Sequence, residues 1–455
     1  VETPAPLSVP QSKFPAGLGF FKPAPAIPVV LTEPSAIERA YRSWRFRVMF
    51  SSLVGYATFY LVRKNLPIAM PFMEENLHIS KSDLGLFLTL HGVLYGVSKF
   101  ANGIFGDRCN ARSLMVVGLA ASAVMNLFFG FGTAVATLGI VWMINGWFQG
   151  MGFPPCARLL THWFPPSQLA TRMSLWNTSH CIGGVVILLL CGYLAPKGWQ
   201  LCFFVPAAIS FAIVLLLWFT LPDTPPSVGL PEVAGTQNET LERESNENFK
   251  AVLLAQVFRN PHIWLISIAN FFVYTLRYAV FDWGPTVLKQ SKHIEIQHAA
   301  WMLAGFEVFG AIGALFGGWL TDRFFGGRPM RAGLFFMVCA GISIFLFWKT
   351  AGDSRVLNTV LLCSAGFFIY GPQCLIGIAA ANLATKRAAA TAVGLTGFFG
   401  YLSTLLSGWG LGTLVQHRGW DAGFAGLIGV AAVGTLVFAA AWNAKAHGYA
   451  TGTKS

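Results

Sequence analysis

Twelve runs of predominantly apolar residues follow one another along this chain, each ended by charge or by Pro/Gly punctuation. They lie near 48–73, 83–106, 113–132, 136–160, 171–194, 200–221, 262–288, 297–321, 332–350, 357–384, 391–415 and 422–442. A helical run of about twenty residues matches the hydrocarbon thickness of a bilayer. Such runs are too long for barrel strands, and in hydrocarbon the backbone must satisfy its polar groups within its own segment. The pattern predicts an all-α membrane protein with twelve transmembrane helices. Charge is correspondingly scarce: 11% of the 455 residues are Asp, Glu, Lys or Arg, against roughly 25% in soluble domains. That argues against a soluble enzyme and against a nucleic-acid-binding domain.

The one long polar stretch, 222–258, divides the spans six and six. The expected organisation is a cytoplasmic Pro-rich tail and basic segment (1–47), a first six-helix bundle (48–221), a cytoplasmic linker (222–258), a second bundle (259–442) and a cytoplasmic tail (443–455). With the N-terminus inside, 20 Lys and Arg outside the spans or at their ends fall on the inner side and 7 on the outer. This bias places both termini in the cytoplasm of a multi-pass inner-membrane protein and accounts for most of the net charge of +12 without a nucleic-acid partner. Residues 1–34 hold eight prolines and no signal-peptide core, which reads as an extended or disordered tail. The eight cysteines form no CxxC pair and no cluster with His, so they read as small buried hydrophobes. No metal and no cofactor is expected.

The second half of the chain repeats the first. Gly103-Ile104-Phe105-Gly106-Asp107-Arg108 after the second span returns as Gly318-Trp319-Leu320-Thr321-Asp322-Arg323 after the eighth, 215 positions on. Leu169-Ala170-Thr171 and Arg63 return at Leu383-Ala384-Thr385 and Arg277, both 214 positions on. Two pseudo-symmetric six-helix bundles are implied, with any shared site near the bilayer midplane. The Asp107-Arg108 and Asp322-Arg323 loops read as paired inner-face latches. Gly150 to Pro155 and Tyr370-Gly371-Pro372 are expected to interrupt spans 4 and 10.

Four cations, Arg63, Lys64, Lys99 and Arg277, fall inside spans, where each costs roughly 2.5–3.5 kcal/mol on insertion scales. Only Glu307 and Asp282 are available to balance them, leaving two positive charges uncompensated. A cavity with two free guanidiniums suits a doubly charged anion, and the Arg fork fits phosphate oxygens. Lys64 is open to an ion pair with Asp282 or Glu307 or to ligand contact; Lys99 is equally open. Helical spacing puts Tyr56 and Tyr60 on the face of Arg63, and Tyr274 on that of Arg277. Their phenols could donate to phosphate or sugar oxygens. His180 is a midplane imidazole, either a satisfied core residue or a ligand contact.

These features together resemble the organophosphate:phosphate antiporter family of the major facilitator superfamily. The resemblance rests on Gly55-Tyr56…Tyr60-Leu61-Val62-Arg63-Lys64-Asn65, Tyr95-Gly96-Val97-Ser98-Lys99-Phe100, Gly146-Trp147-Phe148-Gln149-Gly150 and Trp176-Asn177-Thr178-Ser179-His180. It continues through Tyr274…Arg277-Tyr278…Asp282-Trp283, Tyr370-Gly371-Pro372-Gln373 and Gly397-Phe398-Phe399-Gly400-Tyr401. It implies a monomeric exchanger, not an enzyme, that works by rocker-switch alternating access. Arg63 and Arg277 would grip the phosphoryl group, and His180, Lys99, Tyr56, Tyr60, Tyr274, Tyr370 and Tyr401 would line the cavity. Lys64 with Asp282 or Glu307 would form gating contacts. The partners implied are a small organophosphate, inorganic phosphate and the lipid bilayer. Val393 and Thr396 stand where some hexose-phosphate members carry Asp and Lys, whereas Gly371-Pro372-Gln373 and Phe306-Glu307 resemble that group. The stretches around Arg63 and from Ala269 to Trp283 resemble the glycerol-3-phosphate transporter. Hexose 6-phosphate is the favoured substrate, with glycerol 3-phosphate and a hexose-phosphate sensor as alternatives.

Overall fold

The computed structural model describes residues 17–28, 33–106, 109–233, 254–383 and 389–442. Its first-half helices are α1 (Pro34–Leu61), α2 (Leu66–Leu77), α3 (Lys81–Gly106), α4 (Ala111–Phe131), α5 (Val135–Gln149), α6 (Phe153–Trp163), α7 (Pro166–Leu194) and α8 (Leu201–Thr220). The second half contains α9 (Pro261–Gln290), α10 (Ile296–Phe324), α11 (Pro329–Lys349), α12 (Arg355–Leu383), α13 (Ala389–Leu402) and α14 (Leu411–Ala440). Among the described residues, 9 segments are long and apolar enough to cross a membrane. One of them, Thr391–Ala440, turns back at Gly419, whose φ of 77° suits glycine, and crosses twice. Counted with the interrupted pairs α1/α2 and α5/α6, these helices accommodate the twelve expected spans in two halves, and the fold is the expected helical membrane bundle.

Local chemistry sets the helix ends. Asn110 caps α4 by accepting from the Ser113 amide at 3.3 Å, and Asn260 caps α9 by accepting from the His262 amide at 3.0 Å. Proline opens α1, α7, α9 and α11, where its missing N–H costs nothing.

The first crossing breaks at Val62–Asn65, between α1 and α2. Pro67 cannot donate to the carbonyl of Arg63, four residues back, and its ring crowds that carbonyl. The freed backbone is held from other helices. The Val62 carbonyl accepts from Asn126 and Asn145, each at 2.9 Å, while Asn65 donates to Asn126 Oδ1 at 2.7 Å and to the Cys202 carbonyl at 2.9 Å. In the repeat, 214 positions on, Asn65 and Pro67 are replaced by Ala279 and Phe281, and α9 runs unbroken through Arg277. The expected interruption at Gly150 forms, between α5 and α6. The one at Gly371-Pro372 does not: α12 continues as a helix through Pro372. Gly371 instead lets α12 pack against Phe336 of α11, where a Cβ would come within 2.6 Å of the ring.

Hydrogen bonds between the halves concentrate at the end remote from the start of α1. Lys289 bonds both carboxylate oxygens of Glu75 at 2.8 Å, Gln290 donates to Glu74 at 2.7 Å, and Thr89 donates to the Thr404 carbonyl at 2.6 Å. Gly85 and Gly408 let α3 meet the turn before α14 backbone to backbone, since a Cβ on Gly85 would lie 2.4 Å from the Gly408 carbonyl oxygen. This end is closed.

At the opposite end, the start of the 222–258 stretch is packed rather than free. Asp223, 3% exposed, accepts from the amides of Ala24 (3.1 Å) and Ala111 (2.9 Å) and from Arg158 (3.0 Å). Tyr41 donates to the Pro231 carbonyl, and Leu230 is buried. The tail residues 17–28 run along the same face: the Asn110 amide bonds the Phe21 carbonyl, and the Ile27 amide that of Pro226, each at 2.8 Å. This part of the tail makes one 3-10 turn at Gly19–Phe21, runs without regular structure from there, and is docked.

Candidate functional site

A cavity of about 550 Å³ lies between the halves, lined from α1, α3, α5, α6, α7, α9, α10, α12 and α13 and by the Arg63–Lys64 turn. Ser174, Asn177 and Thr178 of α7 and Cys374 of α12 line it and are exposed, so it opens toward the end where α1 begins. The size is that of an ordinary small-molecule site.

Arg63 enters on the broken turn rather than on a helix face. Its guanidinium stacks 4.0 Å from the centroid of the Tyr60 ring and 4.8 Å from that of Tyr95. Tyr56 lines the same cavity as Tyr60 and Arg63 and packs on Trp176, with ring centroids 4.7 Å apart. Arg63 makes no ion pair with a described residue, and its Nε is buried without a partner. Arg277, on intact α9, lies over Tyr370 at 4.3 Å and donates to Gln373 at 3.1 Å. Tyr274 and Tyr278 flank it at 5.9 and 6.0 Å. Each half thus presents one guanidinium held flat against phenol rings. Stacking fixes the plane while leaving N–H groups on the edges for a ligand.

The two carboxylates divide their work. Lys64 pairs with Asp282 at 2.7 Å across the halves, so of the two expected partners the structure selects Asp282. Glu307, 2% exposed, accepts from the Tyr370 hydroxyl and forms no ion pair with a described residue. Tyr370 thus touches both Glu307, through its hydroxyl, and Arg277, through its ring. Four cations against two carboxylates leave the expected surplus of two, now located at Arg63, Arg277 and Lys99 with Glu307 as the remaining anion. Lys99 donates to Tyr401 at 3.3 Å and lies 4.2 Å from the Phe153 centroid. His180 lines the cavity on α7 with Nδ1 against the Asn177 carbonyl and its ring 6.1 Å from that of Tyr60.

All nine residues expected to line the site do so. Asp322 and Arg323 do not join it; both are exposed and make no ion pair with a described residue, and Asp107 and Arg108 lie outside the described residues. Gln373, Tyr95 and Tyr278 were missed as contacts although each sits inside a quoted motif. Asn126 and Asn145 were missed altogether; their signal was amide side chains within apolar runs. Five cysteines are buried as expected, but Cys374 is exposed on the cavity wall.

An all-helical membrane protein with two repeated halves around a central anion-suited cavity is the class that fold and site define. The profile of the Major Facilitator Superfamily matches residues 52–408, and the chain belongs to that family. It is 38% identical over 438 residues to the glycerol-3-phosphate transporter of Bacillus subtilis, covering 94% of this chain and 98% of that one. It is 37% identical to a probable hexose phosphate transport protein of Chlamydia trachomatis (91% and 94% covered) and 36% to the membrane sensor protein UhpC of Salmonella typhimurium (94% and 98%). Among solved structures, a bacterial homologue of the human lysosomal transporter Spinster, inward-facing and unoccupied, superposes with a TM-score of 0.71 at 17% identity, covering 88% of this chain and 95% of that one. The nucleoside transporter NupG gives 0.64 at 16%, covering 88% and 100%. At such identities these two speak for the fold alone.

Proposed function

We propose that the chain is an inner-membrane secondary transporter that exchanges a phosphorylated sugar, hexose 6-phosphate in preference, for inorganic phosphate by alternating access. The observation that carries this is the pair of guanidiniums, Arg63 and Arg277, one from each half, neither ion-paired with a described residue, in a cavity closed at one end. An empty site with two unpaired cations resists closure, because closing would desolvate them unpaired; a dianion bridging both relieves that cost. The names of the relatives support an organophosphate ligand, and both the three-carbon and the hexose ester stand among them.

The basic asymmetry supports cytoplasmic termini, a cytoplasmic 222–258 linker and bundles at 48–221 and 259–442; the cavity then faces inward. The working unit is a monomer. Proteoliposomes loaded with phosphate test the reading: labelled phosphate should leave only when external phosphate or organophosphate is offered, with glucose 6-phosphate outcompeting glycerol 3-phosphate and 3-phosphoglycerate. Uptake driven by a pH gradient with no internal phosphate would refute antiport, and preference for three-carbon esters would refute the hexose assignment alone. A sensor is the second reading, favoured by the similarity to UhpC; tight binding without exchange would select it.

A further inference from the structure

His91 and Trp142 stand on the wall of the same cavity, from α3 and α5, and take no part in holding the arginines. Their rings stack with centroids 5.1 Å apart and planes 26° apart. His91 Nδ1 lies 3.1 Å from the Trp142 carbonyl oxygen. A carbonyl cannot donate, so Nδ1 carries the proton and the neutral ring keeps its lone pair on Nε2. That Nε2 is buried with no partner among the described residues, and so is the indole Nε1–H of Trp142. The two side chains are 8% and 1% exposed. Buried polar atoms are nearly always hydrogen-bonded, and an unmade bond costs the full desolvation of the group. Here one unpaired acceptor and one unpaired donor belong to two stacked residues that both line the cavity. Asn145, which holds the Val62 carbonyl beside Arg63, follows Trp142 by three residues, so the pair lies one helical turn from the Arg63 turn.

We propose that His91 and Trp142 form a subsite for a hydroxyl on the organic portion of the ligand. An alcohol is the small group that answers both atoms, donating its O–H to Nε2 and accepting from Nε1–H. A fully ionised phosphate oxygen satisfies the indole alone, and an alkyl carbon satisfies neither. The cavity therefore prefers polyol or sugar phosphates to alkyl phosphates. This rests on reading the cavity as a phosphate-ester site and goes beyond it by naming what reads the ester's other end.

The test is calorimetric binding to the purified full-length protein with four probes: inorganic phosphate, propyl phosphate, glycerol 3-phosphate and glucose 6-phosphate. His91→Phe keeps the stack on Trp142 and removes the acceptor; Trp142→Phe keeps an aromatic and removes the donor. Each should weaken a hydroxylated ester about 3- to 10-fold, one neutral hydrogen bond, while propyl phosphate and inorganic phosphate stay within about twofold. Equal losses for all four probes would make the pair a structural prop or a water site and overturn the proposal, as would no loss for any. If the unmodified protein binds inorganic phosphate but does not favour glycerol 3-phosphate over propyl phosphate, the subsite fails alone. If it binds none of the four, the phosphate-ester reading fails and the subsite with it.

Discussion

Replacing Asp282 with Asn removes one charge from a pair that ties the two halves together next to the site. The pair is short, 2.7 Å, and its side chains are 16% and 7% exposed, so water screens it little. Losing one partner of a buried pair costs about 3–5 kcal/mol. The low end applies here, since Asn still accepts from Lys64 and the ammonium keeps the ring faces of Tyr278 and Phe281 at 4.7 and 4.9 Å. A bias of about 3 kcal/mol toward this closed-end arrangement corresponds to about 150-fold in the equilibrium with its alternative. Spin labels at Asn76 and Ser291, both exposed at the closed end, with Cys374 changed to Ser, read that equilibrium as a distance distribution. Asp282→Asn should populate longer distances. Lys64→Gln with Asp282→Asn leaves no unpaired charge at this position and should return most of the population to the short distance. An unchanged distribution in the single variant, or a double variant more open than the single, would refute the claim that the pair holds this end shut.

Arg63→Lys and Arg277→Lys should each weaken phosphate binding roughly 10- to 100-fold in equilibrium dialysis, because Lys keeps the charge and loses the fork; His180→Ala should cost less, since it only supplements that pair. Asn126→Ala and Asn145→Ala should each lower stability by about 1 kcal/mol, but the double variant should lose more than the sum, because the Val62 carbonyl then has neither donor; additive thermal shifts in detergent would count against this. Asp223→Ala orphans two backbone amides and strips a largely buried Arg158 of its partner, so limited chymotrypsin cleavage after Phe20 should accelerate by at least about tenfold. An unchanged cleavage rate would mean that the docked 17–28 segment does not depend on Asp223.

Much of the site was readable because a charge in hydrocarbon is rare and expensive: Arg63, Lys64, Lys99 and Arg277 announce themselves against an apolar background, and all four reach one cavity. The readings that went astray assumed an unbroken helix or a local partner. Arg63 was set on an unbroken helix, but that helix stops at Leu61 and Arg63 enters on the turn that follows, although Pro67 signalled the stop. Gly371-Pro372 was read as an interruption, but packing against Phe336 carries the helix through. Asp322 and Arg323, adjacent in sequence, turned out exposed and unpaired with any described residue.

The sequence by itself determined the twelve crossings, the repeat and the surplus of two positive charges. Each follows from hydrophobic length, spacing or counting, properties that a segment has whatever surrounds it. Only the tertiary structure decided that Lys64 takes Asp282, that Tyr370 contacts both Glu307 and Arg277, that asparagines on α4 and α5 hold the break before Arg63, and that His91 and Trp142 share a wall. Each of these joins groups between 51 and 218 residues apart, and hydrogen bonds and ion pairs form between neighbours in space, which no local pattern specifies.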